Sequence, residues 1–191
     1  MPFRFEPLAI PDVVLIETTT FADGRGFFLE SYRESAFSEV GIDLTFVQDN
    51  YSHSHGRVFR GLHYQNPPQP QAKLVQVIQG EIMDFAVDIR AGSPTYGRFV
   101  KAHLTEANHS LLFVPVGFAH GFCVLSDTAD VVYKVSSEFS AEVDRGILWS
   151  DPAIGIELPF DNPVLSEKDA HLPSLSEADN GFFFTAIRSN P

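Results

Sequence analysis

The chain has 191 residues, of which 44% are hydrophobic and 20% charged, as is usual for globular proteins. That length fits one domain with a single large core, so we expect one domain over residues 1–191, with a peripheral tail after about residue 175. The formal net charge of −12 argues against a nucleic-acid partner, because such proteins need excess basic side chains to neutralise phosphates. It still permits one small anionic ligand, since a few basic side chains in a pocket create a local positive field.

The cysteine content and the terminal sequence indicate an intracellular protein. The single cysteine, Cys123, lies in an apolar run and excludes an intrachain disulfide. Residues 1–6 lack the apolar core of a signal peptide, and no stretch approaches the roughly 18 apolar residues of a membrane span. We therefore expect a soluble, cytoplasmic protein without a membrane partner.

Most apolar segments are short, rich in Val, Ile and Phe, and separated by Gly, Pro, Asn or Asp, which is typical of β-strands. The predicted strands are residues 13–20, 27–32, 46–51, 58–65, 73–78, 81–89, 98–104, 110–115, 121–125 and 129–138. Short helices are expected only at 34–40 and at 166–170, where Ser166 is a candidate cap. The pattern predicts an all-β sandwich or barrel.

Three connections carry their own predictions. Gln79-Gly80 separates two strong strands and predicts a tight hairpin, because two residues that include Gly suit such a turn. Residues 52–56 (SHSHG) are polar and are expected to form a loop between strands. The aromatic triplet 182–184 is expected to dock on the core or on a second subunit.

Residues 60–65 (RGLHYQ) contain the first candidate for chemistry. Side chains alternate along a strand, so His63 and Gln65 should share one face and Arg60 should lie on the other. A lone histidine in a strand is more often structural than catalytic, so other polar residues are needed to support a catalytic role for His63. Three such residues lie in or beside predicted strands: Lys73, His120 and Tyr133.

A metal-dependent cupin oxygenase or isomerase is one alternative, and bound iron, manganese or zinc would indicate it. Residues 115–120 (PVGFAH) match the second half of the cupin metal signature, but the first half has His63 followed by Gln65 with no glutamate. Glutamine is a poor replacement ligand. His53 and His55 form a His-x-His pair without a following carboxylate, so we expect no metal. An inward-facing histidine without metal is free to act as a base.

Eight segments together resemble the dTDP-4-dehydrorhamnose 3,5-epimerase family, a metal-free branch of the cupin barrels. They are residues 23–30 (DGRGFFLE), 48–50 (QDN), 60–65 (RGLHYQ), 87–97 (VDIRAGSPTYG), 115–122 (PVGFAHGF), 133–134 (YK), 149–152 (WSDP) and 165–169 (LSEKD). The resemblance implies a cupin-type jelly roll and a homodimer with exchanged N-terminal strands. It also implies inversion of carbons 3 and 5 of a dTDP-4-keto-6-deoxyhexose without cofactor.

The resemblance further implies residue roles. His63 is the proton acceptor, oriented by Asp169, and Tyr133 supplies a proton from the other side of the sugar. Lys73 resembles the group that stabilises the enolate oxygen, which suits a preorganised cation. The implied substrate-binding residues are Arg25, Glu30, Gln48, Asn50, Arg60, His120, Phe139, Asp144 and Lys168.

Two departures and two alternatives accompany this interpretation. Phe139 stands where the family often has a tyrosine, and Ala141 and Asp144 stand where it has proline and glutamate, which leaves the nucleotide contacts less defined. Relatives that invert a single carbon keep the same base and acid, so a mono-epimerase is one alternative. A sugar-nucleotide-binding cupin without catalytic activity is the other.

Overall fold

The computed structural model describes residues 2–185, whose regular secondary structure is almost entirely β-strand. The strands are β1 (Phe3–Pro7), β2 (Val14–Thr18), β3 (Thr20–Asp23), β4 (Gly26–Leu29), β5 (Gln48–His55), β6 (Phe59–Gln65), β7 (Lys73–Gln79), β8 (Glu81–Asp88), β9 (Phe99–Thr105), β10 (Leu111–Val114), β11 (Phe118–Val124), β12 (Thr128–Val135) and β13 (Asp144–Gly146). The helices are α1 (Glu34–Ser38) and a 3-10 helix (Asp169–His171). No helix among the described residues is long and apolar enough to span a membrane.

Two antiparallel sheets form the body of the molecule. The larger has the strand order β1-β2-β10-β7-β12-β5, and the smaller has the order β13-β6-β11-β8-β9. Strands β3 and β4 form a separate hairpin. Neighbours in sequence repeatedly lie in different sheets, as in a jelly roll, so the predicted all-β cupin-type fold is confirmed.

Side-chain alternation divides the core into layers. The inward-facing residues of both sheets form the central core, to which β7 contributes Val75 and Val77. The outer face of the smaller sheet carries a second cluster, which the C-terminal segment covers with Phe182. A third cluster surrounds Phe37 of α1 and packs against the N-terminal strands. The central core therefore lies between the two sheets.

The predicted hairpin at Gln79-Gly80 is wrong. Strand β7 pairs with β10 and β12, whereas β8 pairs with β11 and β9, so the chain passes from one sheet to the other at this turn. Gly80 has φ +79°, and a Cβ there would lie 2.1 Å from the backbone oxygen of Thr128. Gly80 thus permits a tight turn between the two sheets. Strands β7 and β8 each lie between two other strands of their own sheet.

The polar segment at residues 52–56 is also different from its prediction. Strand β5 continues through His55 and pairs with β12 along its whole length. His53 and His55 lie on the exposed side of this strand, while Ser52 and Ser54 face inward. A strand with a polar outer face and small inner residues has the composition of a loop, and pairing with β12 decides its conformation.

The last predicted helix is only a 3-10 turn, Asp169–His171, in which the Ser166 hydroxyl accepts the N–H of Asp169 at 3.0 Å. The three residues of the aromatic triplet have different surroundings. Phe182 is buried in the second cluster, and the ring of Phe184 lies 5.1 Å from the Arg90 guanidinium. Phe182 therefore docks on the core, whereas Phe183 is 78% exposed.

Candidate active site

The two sheets enclose a polar cleft. A cavity of about 380 Å³ is lined by seven of the predicted site residues: Arg60, His63, Lys73, His120, Tyr133, Lys168 and Asp169. An adjoining cavity of about 440 Å³ shares four of them and adds Gln48, Asn50, Phe139 and Asp144. The structure thus brings eleven of the thirteen predicted site residues together in one continuous cleft.

A bulge in β6 brings Arg60 into the cleft together with His63. The pairing of β6 with β11 shifts by one residue between the His120–His63 and Phe122–Arg60 partners. Simple alternation had placed Arg60 on the opposite face from His63, and that prediction is wrong. Arg60 donates from Nε to Ser54 Oγ and from an Nη to the His53 carbonyl, both at 3.0 Å, which fixes it at the cleft rim.

His63 is held by Asp169. The His63 Nε2–H donates to Asp169 Oδ1 at 2.7 Å, and the N–H of Gly61 donates to the second carboxylate oxygen at 3.2 Å. Burial opposes ionisation of Asp169, but its hydrogen bonds, chiefly that from His63, outweigh burial and hold its pKa below the ordinary value. A carboxylate can only accept, so this contact assigns the ring proton of neutral His63 to Nε2 and leaves its Nδ1 as a hydrogen-bond acceptor.

Tyr133 reaches the cleft from the opposite sheet. It lies on β12 in the larger sheet, whereas His63 lies on β6 in the smaller one. Burial raises the pKa of Tyr133, with a further contribution from Asp144, although Arg60 acts in the other direction. The hydroxyl therefore keeps its proton at neutral pH and can donate it.

Lys73 supplies a buried cation between these groups. Its side chain enters from the start of β7, and its Nζ donates to the backbone carbonyl of His63 at 3.2 Å. Burial lowers its pKa to about 8. Lys73 is therefore largely protonated at neutral pH, but it is poorly solvated, which suits it to stabilise a developing anion.

His120 contacts a carboxylate that the sequence analysis missed. The His120 Nε2–H donates to Asp84 Oδ1 at 2.7 Å, and both residues are buried. Burial lowers the pKa of His120 despite the neighbouring charge of Asp84. His120 is thus neutral at pH 7, and its free Nδ1 is an acceptor. In the sequence, Asp84 shares the register of the apolar residues Ile82 and Ala86, but the pairing of β8 is needed to show that this face is interior.

The outer end of the cleft is organised around Phe139. The N–H of Phe139 donates to Gln48 Oε1 at 2.9 Å, and Gln48 Nε2 donates to Asn50 Oδ1 at 2.7 Å. Asp144 forms an ion pair with Lys168 at the same end. The Phe139 ring is 59% exposed, so its face is available to a ligand. The shorter side chain of Asp144 is thus engaged within the protein.

Arg25 and Glu30 are not brought to this cleft. Arg25 is on the turn between β3 and β4, where its exposed side chain pairs with Asp23 at 2.6 Å. Glu30 follows β4 and lies 3.6 Å from Arg33. Neither residue lines either cavity of its own chain.

The His-x-His pair does not form a metal centre. Within residues 2–185, no three His, Cys, Asp or Glu side chains converge in an arrangement that could hold a metal ion. His53 instead pairs with Asp130 on the exposed face of the larger sheet, and the rings of His53 and His55 lie 4.4 Å apart. Gln65 is bound to backbone groups through Gln69, Glu138 and Ser140.

The geometry defines what the cleft can do. An imidazole held by Asp169 and a protonated phenol line the same cavity from opposite sheets, and a buried ammonium group lines it as well. Such a set can move protons to and from a carbon whose conjugate base is a stabilised oxyanion. Comparison with known proteins agrees, because residues 7–177 match the family model of dTDP-4-dehydrorhamnose 3,5-epimerase. The chain belongs to the dTDP-4-dehydrorhamnose 3,5-epimerase family.

Relatives of this epimerase family cover nearly the whole chain. The enzyme of that name from Shigella flexneri is 52% identical over 171 residues, which is 89% of this chain and 94% of the relative. The one from Pseudomonas aeruginosa is 49% identical over 174 residues, or 90% and 96%. The structure of dTDP-6-deoxy-D-glucose-3,5-epimerase from Legionella pneumophila with dTDP-4-keto-L-rhamnose has a TM-score of 0.92 at 40% identity, covering 96% of this chain and 100% of that one.

Proposed function

We propose that this epimerase-family chain converts dTDP-4-dehydro-6-deoxy-D-glucose into dTDP-4-dehydro-L-rhamnose by inverting carbons 3 and 5. The observation that carries the proposal is the placement of His63 and Tyr133 on opposite sheets, facing one cleft beside Lys73. Inversion needs a base and an acid on opposite faces of the sugar ring. Both carbons flank the ketone at carbon 4, so one cation can serve both reactions.

The proposed step moves two protons and leaves no net change in the substrate formula. His63 Nδ1 removes the proton from the carbon, the C–H electron pair forms the enolate, and Lys73 stabilises the negative oxygen. Tyr133 then donates its proton to the opposite face of that carbon, and the ketone reforms. His63 has gained a proton and Tyr133 has lost one, so both return to their starting states by exchange with water before the second inversion.

The remaining cleft residues are proposed to hold the ligand. Arg60 is suited to the diphosphate, because its planar guanidinium makes forked contacts with phosphate oxygens. The exposed face of Phe139 is suited to stack on the thymine base, with Gln48 and Asn50 beside it. His120 is suited to accept a sugar hydroxyl at its free Nδ1. No metal or organic cofactor is required by this scheme.

We further propose that the protein is a cytoplasmic homodimer. The β3–β4 hairpin exposes Phe21, Phe27 and Phe28, which a second subunit would cover. Arg25 and Glu30 belong to the same part of the chain, and in a dimer they could reach the partner's cleft. Sedimentation equilibrium should give twice the chain mass of 21.2 kDa, and a monomer at micromolar concentration would refute this proposal.

Deuterium exchange tests the proposed reaction. The protein is incubated in deuterated water with dTDP-4-dehydro-6-deoxy-D-glucose, and NMR follows deuterium at each ring carbon. We expect uptake at carbons 3 and 5, with appearance of the L-rhamno product. Uptake at one carbon alone would identify a mono-epimerase. No uptake, with binding of the ligand shown separately, would favour the binding protein without catalytic activity.

A further inference from the structure

Asp84 is a buried carboxylate that does not line the cleft. We propose that Asp84 is the counterion that keeps Lys73 in its ammonium form, so that the charge facing the substrate depends on a residue that never touches the substrate. This inference rests on the proposed role of Lys73 in enolate stabilisation. The effect of Asp84 on the charge of Lys73 can be measured without any turnover. This inference and the proposed function can therefore fail separately.

The position of Asp84 is unusual for a carboxylate. It lies in the middle of β8, its neighbours on the inward-facing register are Ile82 and Ala86 of the central core, and it is fully buried. A buried acid in an apolar layer is costly unless hydrogen bonds or an opposite charge compensate for it. Such a residue is therefore a candidate for function rather than packing.

The contacts of Asp84 leave its negative charge only partly compensated. Oδ1 accepts the Nε2–H of His120, while Oδ2 is buried and has no hydrogen-bond partner. His120 is neutral at pH 7 because burial lowers its pKa, so this hydrogen bond brings no positive charge. The compensating cation must come from elsewhere in the interior.

Lys73 is the one lysine or arginine that is buried among residues 2–185. Lys73 shares the register of Val75 and Val77 on β7, and Asp84 shares the register of Ile82 and Ala86 on β8. Those four apolar residues belong to the central core, so both charged side chains face the space between the sheets. In this part of the chain Lys73 makes no ion pair within 4 Å, and its Nζ donates only to the His63 carbonyl. Asp84 therefore acts on Lys73 through its field and leaves N–H donors free for a substrate oxygen.

Among the charges around Lys73, that of Asp84 contributes most to keeping the ammonium form. Burial lowers the pKa of Lys73 to about 8, Asp84 and then Asp144 oppose that change, and Lys168 adds to it. The other charged or titratable groups in the cleft are Arg60, His63, Tyr64, His120, Tyr133 and Asp169. Asp144 is already paired with Lys168, whereas the hydrogen-bond partner of Asp84 is the neutral His120, so the charge of Asp84 is left to act on Lys73.

The test compares Asp84→Asn with Asp88→Asn. Asp88 is an equally buried acid on the same strand, but its partners are Arg90, Ser93 and Thr95 outside the cleft. NMR titration of the Lys73 side chain should give a pKa about one pH unit lower in Asp84→Asn than in the unmodified protein. Asp88→Asn should leave it unchanged. An unchanged Lys73 pKa in folded Asp84→Asn would overturn the inference.

A measurement on the unmodified protein covers the case in which Asp84→Asn does not fold. The ¹³C signal of the Asp84 carboxylate should show a step at the pH where Lys73 loses its proton, and the Asp88 signal should not. Absence of that step would overturn the inference. With active enzyme, the basic limb of the kcat–pH profile should move to lower pH in Asp84→Asn by as much as the Lys73 pKa does. A shifted pKa in a protein without epimerase activity would refute the proposed function and leave this inference standing.

Discussion

Replacing His63 with alanine is expected to lower kcat for epimerisation by roughly 100- to 10,000-fold, the usual contribution of a positioned general base. The same variant should lose deuterium uptake at carbons 3 and 5, because no other group in the cleft is placed to remove those protons. Binding of dTDP should change little, since the nucleotide is assigned to Arg60 and Phe139. Coupled assays, NMR exchange and calorimetry measure these three quantities.

The fold should survive this substitution. The His63 side chain is 31% exposed to the cleft, so alanine enlarges an existing cavity and creates no hole in the core. His103→Ala is the matched control, because His103 also lies on a strand and pairs with an acid, Glu81, but is outside the cleft. It should retain full activity. Near-normal turnover in His63→Ala would remove His63 from the role of base.

The chemical part of the site could be predicted from the sequence better than its geometry. The motif pattern identified His63, Tyr133 and Lys73, and the structure brings them together because their strands face each other across the two sheets. The alternation rule failed at Arg60, since a bulge shifts the register by one residue. A bulge changes the alternation of side chains by a single residue, and one sequence does not show where that change falls.

The arrangement of strands was harder to predict than their existence. Gly80 satisfies a two-residue hairpin and a corner between sheets equally well in local terms, and the choice depends on partners far along the chain. Asp84 was missed for a related reason. An acid in a strand is ordinarily read as facing solvent, and only the pairing of β8 with β9 and β11 shows that this face is interior.

Tyr133→Phe should separate the two halves of the reaction. In this variant the Tyr133 hydroxyl is missing, but His63 can still remove the proton and Lys73 can still stabilise the enolate. Exchange of the carbon-bound proton therefore begins normally. His63, after exchanging the abstracted proton with deuterated water, must then return a deuteron to the face from which the proton left. We expect deuterium uptake within about tenfold of the unmodified rate, while inversion falls by roughly 100-fold or more, as expected for loss of a general acid.

The ratio of exchange to inversion makes this prediction specific to the acid. A variant that merely disturbed ligand binding would lower both rates together, and the ratio would stay near that of the unmodified enzyme. Tyr96→Phe provides the control, because Tyr96 is 41% exposed and lies outside both cavities, so its ratio and its rates should be unchanged. A parallel loss of exchange and inversion in Tyr133→Phe would show that the hydroxyl acts before the enolate forms. In that case another group must deliver the proton on the Tyr133 side of the cleft.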